Sequence, residues 1–165
     1  MTKEIPKIIG INPGTRYLGI AVVYGSELMD WRIKVLDGKW AKEKIKKAIK
    51  IISDLIDQYE PNVLALKKLH PSRRSDNLTR LANKIKDFAR KKKMKIYQYS
   101  IKEIEKYFIY DRKLNKMNLI EAMVNQYPIL HHDLDKEKSL RNSYYFRIFE
   151  AIALASACAR GLGKS

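Results

Sequence analysis

The sequence predicts a single α/β domain, residues 1–165, built on a mixed five-stranded sheet with helices on both faces. Three observations lead to this prediction. Three β-rich segments come first, strands and amphipathic helices then alternate, and an alanine-rich helix ends the chain. Hairpins followed by alternating strands and helices are typical of a sheet with three antiparallel strands and then parallel ones. The parallel strands are expected to join by right-handed crossovers.

The first three strands follow from apolar runs and turn residues. Lys7–Asn12 is apolar and β-branched, and Pro13-Gly14 ends it. Residues 18–24 form the second run, and residues 29–36 alternate loosely between apolar and polar. Gly25 and Ser26 between them suit a hairpin turn. The sequence therefore predicts a three-stranded antiparallel meander.

The later elements alternate between helical and extended patterns. Apolar residues at helical spacing predict an amphipathic helix over residues 41–59, which Pro61 terminates. Ser75 or Asp76 is a candidate cap for the next helix. The remaining predictions are strands at 63–66 and 95–99, helices at 101–108, 117–127 and 145–160, and a polar loop at 128–143.

The charge balance points to a polyanionic partner. Lysine and arginine number 34 against 18 acidic residues, a formal net charge of +16. Such a field favours DNA, RNA or anionic lipid. The single cysteine, Cys158, excludes an internal disulfide and a cysteine zinc site. We see no secretory signal and no apolar run near the roughly 20 residues that span a bilayer, so we expect a soluble, cytoplasmic protein without a membrane partner.

Three motifs resemble the ribonuclease H-like superfamily and, within it, the RuvC-type Holliday-junction resolvases. Residues 10–15 read GINPGT, where the family typically reads GIDPG followed by Ser or Thr. Residues 61–67 read PNVLALK, where the family has an apolar pair followed by Glu. Residues 147–155 read RIFEAIALA, where the family has Asp, two small residues, Asp and alanine-rich turns. Lys116 also resembles a family lysine. The resemblance implies a ribonuclease H-like fold over nearly the whole chain.

The departures from the family pattern fall on its catalytic positions. Family members carry four carboxylates there, which hold two Mg²⁺ ions for phosphodiester hydrolysis. In this chain the positions are Asn12, Lys67, Arg147 and Glu150, so one amide, two cations and one carboxylate leave a charge of +1. Such a cluster repels Mg²⁺. We therefore assign no catalytic residue and expect no metal ligands and no cofactor. Lys67 or Arg147 would pair with Glu150 in place of the ions.

A basic segment that begins beside this position is the predicted nucleic-acid surface. It runs from the end of the fourth strand into a loop and helix, and other cations extend it. The predicted contacts are Lys67, Lys68, Arg73, Arg74, Arg80, Lys84, Lys116 and Arg141. DNA, with branched or Holliday-junction DNA implied by the resemblance, is the expected partner. The resemblance also implies a homodimer.

Several residues have a structural interpretation beside the functional one. Asn12-Pro13-Gly14 can be a plain strand-ending turn, and Glu150 a solvated helix residue. Tyr107, Phe108 and Tyr110 lie beside basic residues and can stack on bases, although core packing is the more ordinary role of aromatic residues. The pair His131-His132 invites a metal interpretation, but a polar loop is the simpler one.

Two other functions remain open at this stage. The first is an active Mg²⁺-dependent junction endonuclease with a rebuilt site, in which Asp111, Asp133 or Asp135 would assist Glu150. The second is a structural or protein-interaction subunit, for which RNA or ribosomal association is compatible with the charge. Cleavage of a junction in Mg²⁺ or Mn²⁺ would favour the endonuclease.

Overall fold

Five strands form one mixed sheet in the order β3-β2-β1-β4-β5. A computed structural model of the chain describes residues 5–37, 39, 42–70, 75–133, 135 and 146–163. The strands are β1 Lys7–Asn12, β2 Tyr17–Tyr24, β3 Glu27–Val35, β4 Val63–Lys67 and β5 Lys95–Tyr99. The first three are antiparallel neighbours, and β4 and β5 run parallel to β1. The predicted sheet is confirmed, and its hairpin turn contains Gly25 with a φ of +61°.

In the described part of the chain, five α-helices of eight or more residues cover the sheet. They are α1 Lys42–Tyr59, α2 Asp76–Lys91, α3 Ile101–Phe108, α4 Lys116–Gln126 and α5 Phe146–Gly163. Ser75 is the cap of α2, because its side chain accepts a hydrogen bond from the Leu78 amide at 3.1 Å. Ser100 and Glu103 form a reciprocal capping box at the start of α3. None of the helices in the described part of the chain is long and apolar enough to cross a membrane.

The predicted polar loop over residues 128–143 is wrong in its first half. Pro128–Leu130 forms a 3-10 turn, and residues 131–133 and 135 are helical. Leu130 is buried, and Asp133 accepts a hydrogen bond from the Trp31 indole at 2.9 Å. Burial and this tie to the edge strand outweigh the polar composition that suggested a loop. Residues 136–145 lie outside the described residues.

Alternation along β1 divides the interior into two layers. Ile9 and Ile11 point toward the layer that α1 and α2 cover, whereas Ile8 packs with α3, α4 and α5. Gly10 faces α5, where the Ala151 carbonyl and Ala155 pass close to its backbone. The same period of two directs Asn12, the last residue of β1, toward α5. The fold thus delivers a polar side chain to the α5 layer.

Candidate nucleic-acid interface

The carboxyl ends of β1 and β4 bring two candidate site residues together. The two strands are parallel neighbours, with Ile11 opposite Leu66. The next residues, Asn12 and Lys67, therefore leave the same edge of the sheet at the same level. Ala65 contributes to the α5 layer and Leu66 to the other, so alternation also turns Lys67 toward α5.

Glu150, on α5, receives both side chains on one carboxylate oxygen. Its Oε1 accepts a hydrogen bond from Asn12 Nδ2 at 3.0 Å and contacts Lys67 Nζ at 3.4 Å. The Glu150 side chain is 8% exposed and that of Lys67 is 28% exposed. A buried carboxylate needs such partners, because removing one partner of a buried ion pair costs about 3–5 kcal/mol. Glu150 is thus a partnered buried acid, which rules out its interpretation as a solvated helix residue.

The side chain of Arg147, one turn before Glu150 on α5, points toward the β1–β2 connection. Its guanidinium lies over the Tyr17 ring, 5.9 Å from the centroid. Its Nη1 also lies 2.5 Å from the position that a Cβ on Gly14 would occupy. A side chain at Gly14 would displace this guanidinium. Of the two cations that we expected to compensate Glu150, Lys67 makes the ion pair, and Arg147 lies against the β1–β2 connection.

Glu105, on α3, is a fourth member of the site that the sequence analysis missed. It is buried, and its Oε2 has no hydrogen-bond partner among the described residues. Burial, and then the neighbouring Glu150 carboxylate, raise the pKa of Glu105, whereas Lys102 and Lys116 act in the opposite direction. The sequence did contain a signal for the burial of Glu105. This residue lies three positions before Phe108, which places both on the buried face of α3.

Replacing Glu105 with glutamine is expected to stabilise the protein above the carboxyl's usual pKa. A raised pKa means that the folded state binds this proton more tightly than the unfolded chain. The wild type therefore loses stability as pH rises through the window between the unfolded and folded values. Glu105→Gln should flatten that dependence and raise the melting temperature at pH 7 relative to wild type.

Thermal melts of both proteins between pH 3 and pH 8 measure this effect. Glu103→Gln is unsuitable as a control because Glu103 caps α3. Glu121→Gln is better, since Glu121 is an exposed residue paired with Arg112. Parallel pH profiles for wild type and Glu105→Gln would contradict the buried carboxylate interpretation.

Among the described cations of the predicted nucleic-acid surface, Lys67 is partly buried, and the others are exposed, namely Lys68, Arg80, Lys84 and Lys116. Lys68 directly follows β4, and Lys116 begins α4, where its ammonium lies 4.6 Å from the Phe146 ring centroid. Arg80 and Lys84 lie in the second and third turns of α2, farther from the sheet edge. Arg73, Arg74 and Arg141 lie outside the described residues.

The other candidate residues make their contacts away from Asn12, Lys67 and Glu150. Phe108 is buried, as expected of a core aromatic residue, and Tyr107 packs edge-to-face on it. Asp133 is bonded to Trp31, and Asp111 lies beside Arg112. Across the described ranges, no three His, Cys, Asp or Glu side chains group as a metal site would require.

Sequence comparison assigns the chain to a family. The family model of crossover junction endodeoxyribonuclease RuvC matches residues 8–137, which is most of the sequence. The chain belongs to the RuvC family. No curated protein matches it in sequence.

Solved structures of the family share the fold at low identity. Thermus thermophilus RuvC superposes with a TM-score of 0.73 at 14% identity, over 95% of this chain and 96% of that one. RuvC from T. thermophilus in complex with a Holliday-junction substrate gives 0.71 at 16% identity, with 96% of each chain covered. Fowlpox virus resolvase, in complex with substrate Holliday-junction DNA, gives 0.57 at 13%, over 94% of this chain and 98% of that one. The ribonuclease H-like architecture is thereby confirmed.

The side chains at the RuvC positions do not fit the two divalent cations that the family implies. Hard cations prefer charged oxygen ligands. In this site the Glu150 carboxylate is already ion-paired with Lys67, and Asn12 presents an amide in place of a carboxylate. The Lys67 ammonium lies against the carboxylate oxygen that a metal would use. Glu105 adds a second carboxylate, so this site has two carboxylates where the family pattern has four.

Proposed function

We propose that this RuvC-family chain binds nucleic acid, with branched DNA as its ligand, and has lost two-metal phosphodiester hydrolysis. The observation that carries the proposal is the contact of Lys67 Nζ with Glu150 Oε1 at 3.4 Å. It supports an internal cation in the place of metal ions. In this proposal the whole chain acts as one domain, in a homodimer that engages the two-fold symmetry of a junction, and needs no metal cofactor.

The charge of the site supports phosphate binding without cleavage. Lys67 is partly exposed at the sheet edge, and Arg147 presents its guanidinium beside the β1–β2 connection. Lys68 and Lys116 extend the positive surface on either side. Arginine and lysine bind phosphate through charge-assisted hydrogen bonds. Without metal ions to activate water and stabilise the leaving oxygen, such a contact holds the backbone intact.

Binding of a synthetic four-way junction tests this proposal. We expect wild-type affinity to fall steeply with salt, as phosphate contacts require. Arg147→Gln should weaken binding about tenfold or more, because a hydrogen bond to a charged group contributes about 1.5–3 kcal/mol. Lys91→Gln is the matched control, since Lys91 is exposed at the far end of α2. Anisotropy titrations at several salt concentrations measure both variants.

Three outcomes of these titrations are decisive. Absence of binding at low salt would contradict nucleic-acid binding. Equal affinity for the junction and for linear duplex would remove only the junction preference. Equal losses in Arg147→Gln and Lys91→Gln would contradict the assignment of phosphate binding to this site.

An active endonuclease is the second candidate, and one observation favours it. Glu105 places a second buried carboxylate near Glu150, with an oxygen that lacks a partner among the described residues. A rebuilt site would use this residue rather than Asp111, Asp133 or Asp135. Junction cleavage in Mg²⁺ or Mn²⁺ that Glu150→Gln abolishes would establish this candidate and overturn the first.

A further inference from the structure

The connection between α3 and α4, residues 109–115, exposes an aromatic ring to solvent. Tyr110 is 85% exposed, whereas Phe108, two residues earlier, is buried. Full exposure of a large ring leaves apolar surface in water, which is unfavourable. Among the described residues little covers this ring, so it is accessible to a partner.

The backbone around Tyr110 is held on both sides. Ile109 is buried and donates its amide to the Glu105 carbonyl at 2.8 Å. On the other side, Asn118 Nδ2 donates to the Lys113 carbonyl at 2.7 Å, and Asn115 caps α4. Fixed ends reduce the conformational entropy that Tyr110 would lose on binding a ligand.

Cationic and apolar side chains follow Tyr110 closely in the sequence. Lys113 and Lys116 are exposed, and Leu114 and Met117 are 39% and 42% exposed. Lys116 also connects the patch to the site, because its ammonium lies over Phe146, one turn before Glu150 on α5. An aromatic ring beside lysines matches a base with its phosphate. Sites for single-stranded nucleic acid combine these two features.

We propose that Tyr110 stacks on an unpaired base, with Lys113 and Lys116 contacting the adjacent phosphates. The inference rests on the proposed nucleic-acid binding and identifies a contact within it. An unpaired base is the required partner because the faces of paired bases inside a duplex are covered by their neighbours. The protein would thus distinguish frayed, gapped or single-stranded segments from continuous duplex through Tyr110.

The test compares Tyr110→Ala and Tyr110→Trp with wild type on two labelled oligonucleotides of the same sequence. One is a continuous duplex, and the other carries a gap with 2-aminopurine opposite the missing strand. Tyr110→Ala should weaken binding to the gapped form by roughly 5- to 100-fold, the range observed for loss of one stacked base. Duplex affinity should be unchanged. Tyr110→Trp should restore gapped binding and alter 2-aminopurine emission as wild type does.

Ile129→Ala is the matched control, because Ile129 is another exposed apolar side chain, 65% accessible and outside this connection. It should change neither affinity. If wild type binds the gapped form and Tyr110→Ala binds it equally well, the stacking inference is wrong while the proposed function stands. An equal loss on gap and duplex would also overturn stacking. If wild type binds the four-way junction but neither of these oligonucleotides at low salt, the stacking inference is wrong. If it binds none of the three, the proposed function itself fails.

Discussion

The triple variant Asn12→Asp, Lys67→Glu, Arg147→Asp is expected to bind divalent cations, whereas the wild-type protein is expected to bind none. The three substitutions install the acidic residues of the family pattern beside Glu150. They change the formal charge of the four positions from +1 to −4, counted from one amide, two cations and one acid. Carboxylates in this arrangement repel one another without a cation, so the metal-free variant should melt below wild type.

Calorimetry and thermal melts with Mn²⁺ or Mg²⁺ measure the gain. At a metal concentration about 100 times the dissociation constant, binding stabilises the folded state by about 2.7 kcal/mol. In a chain of this size that corresponds to roughly 5–11 °C. The same triple variant with Glu150→Gln in addition is the control, and it should respond more weakly. Metal binding by wild type that Glu150→Ala removes would contradict the internal-cation proposal.

Gly10→Ala is expected to destabilise the protein by about 3 kcal/mol or more. A Cβ at this position in β1 would lie 2.5 Å from the Ala151 carbonyl oxygen and 2.9 Å from Ala155 Cβ. The first obstacle is backbone, so α5 must move away from the sheet. Overpacking of a core usually costs about 1–3 kcal/mol and sometimes more. This site is at the upper end because the obstacles belong to a helix that packs along both β1 and β2.

Chemical denaturation of Gly10→Ala and Gly161→Ala measures the difference. Gly161 lies near the end of α5, and no heavy atom lies within 4 Å of the Cβ that alanine would add. Alanine is a better helix former than glycine there, so Gly161→Ala should be neutral or slightly stabilising. Similar losses in both variants would show that close packing of α5 on β1 is not the cause.

The sequence was informative about the elements and the sheet because apolar periodicity reports burial directly. The resemblance to the RuvC-type motifs, rather than periodicity, singled out Asn12, Lys67 and Glu150, and the parallel pairing of β1 with β4 accounts for the meeting of Asn12 and Lys67 at one sheet edge. The sequence left Lys67 and Arg147 as alternative partners of Glu150, since spacing does not give the direction of a long side chain. Arg147 lies over Tyr17 and Lys67 reaches the carboxylate.

Tertiary contacts explain the remaining differences. Glu105 looked like one more surface acid in a charged helix, and its burial depends on how α3 packs against α5. The helical residues after Leu130 are polar in sequence, but the hydrogen bond between Trp31 and Asp133 fixes them to a strand about 100 positions away. Tyr110 is exposed although its neighbour Phe108 is core, because the chain leaves α3 between them.

The Lys67 ammonium that pairs with Glu150 differs from a bound metal ion in its origin. Lys67 is part of the polypeptide, so the positive charge is in place as soon as the fold forms. A chelator cannot remove it, and the cellular supply of free magnesium does not set its occupancy. The positive charge beside Glu150 is therefore encoded in the amino-acid sequence, and its presence does not depend on the metal content of the medium.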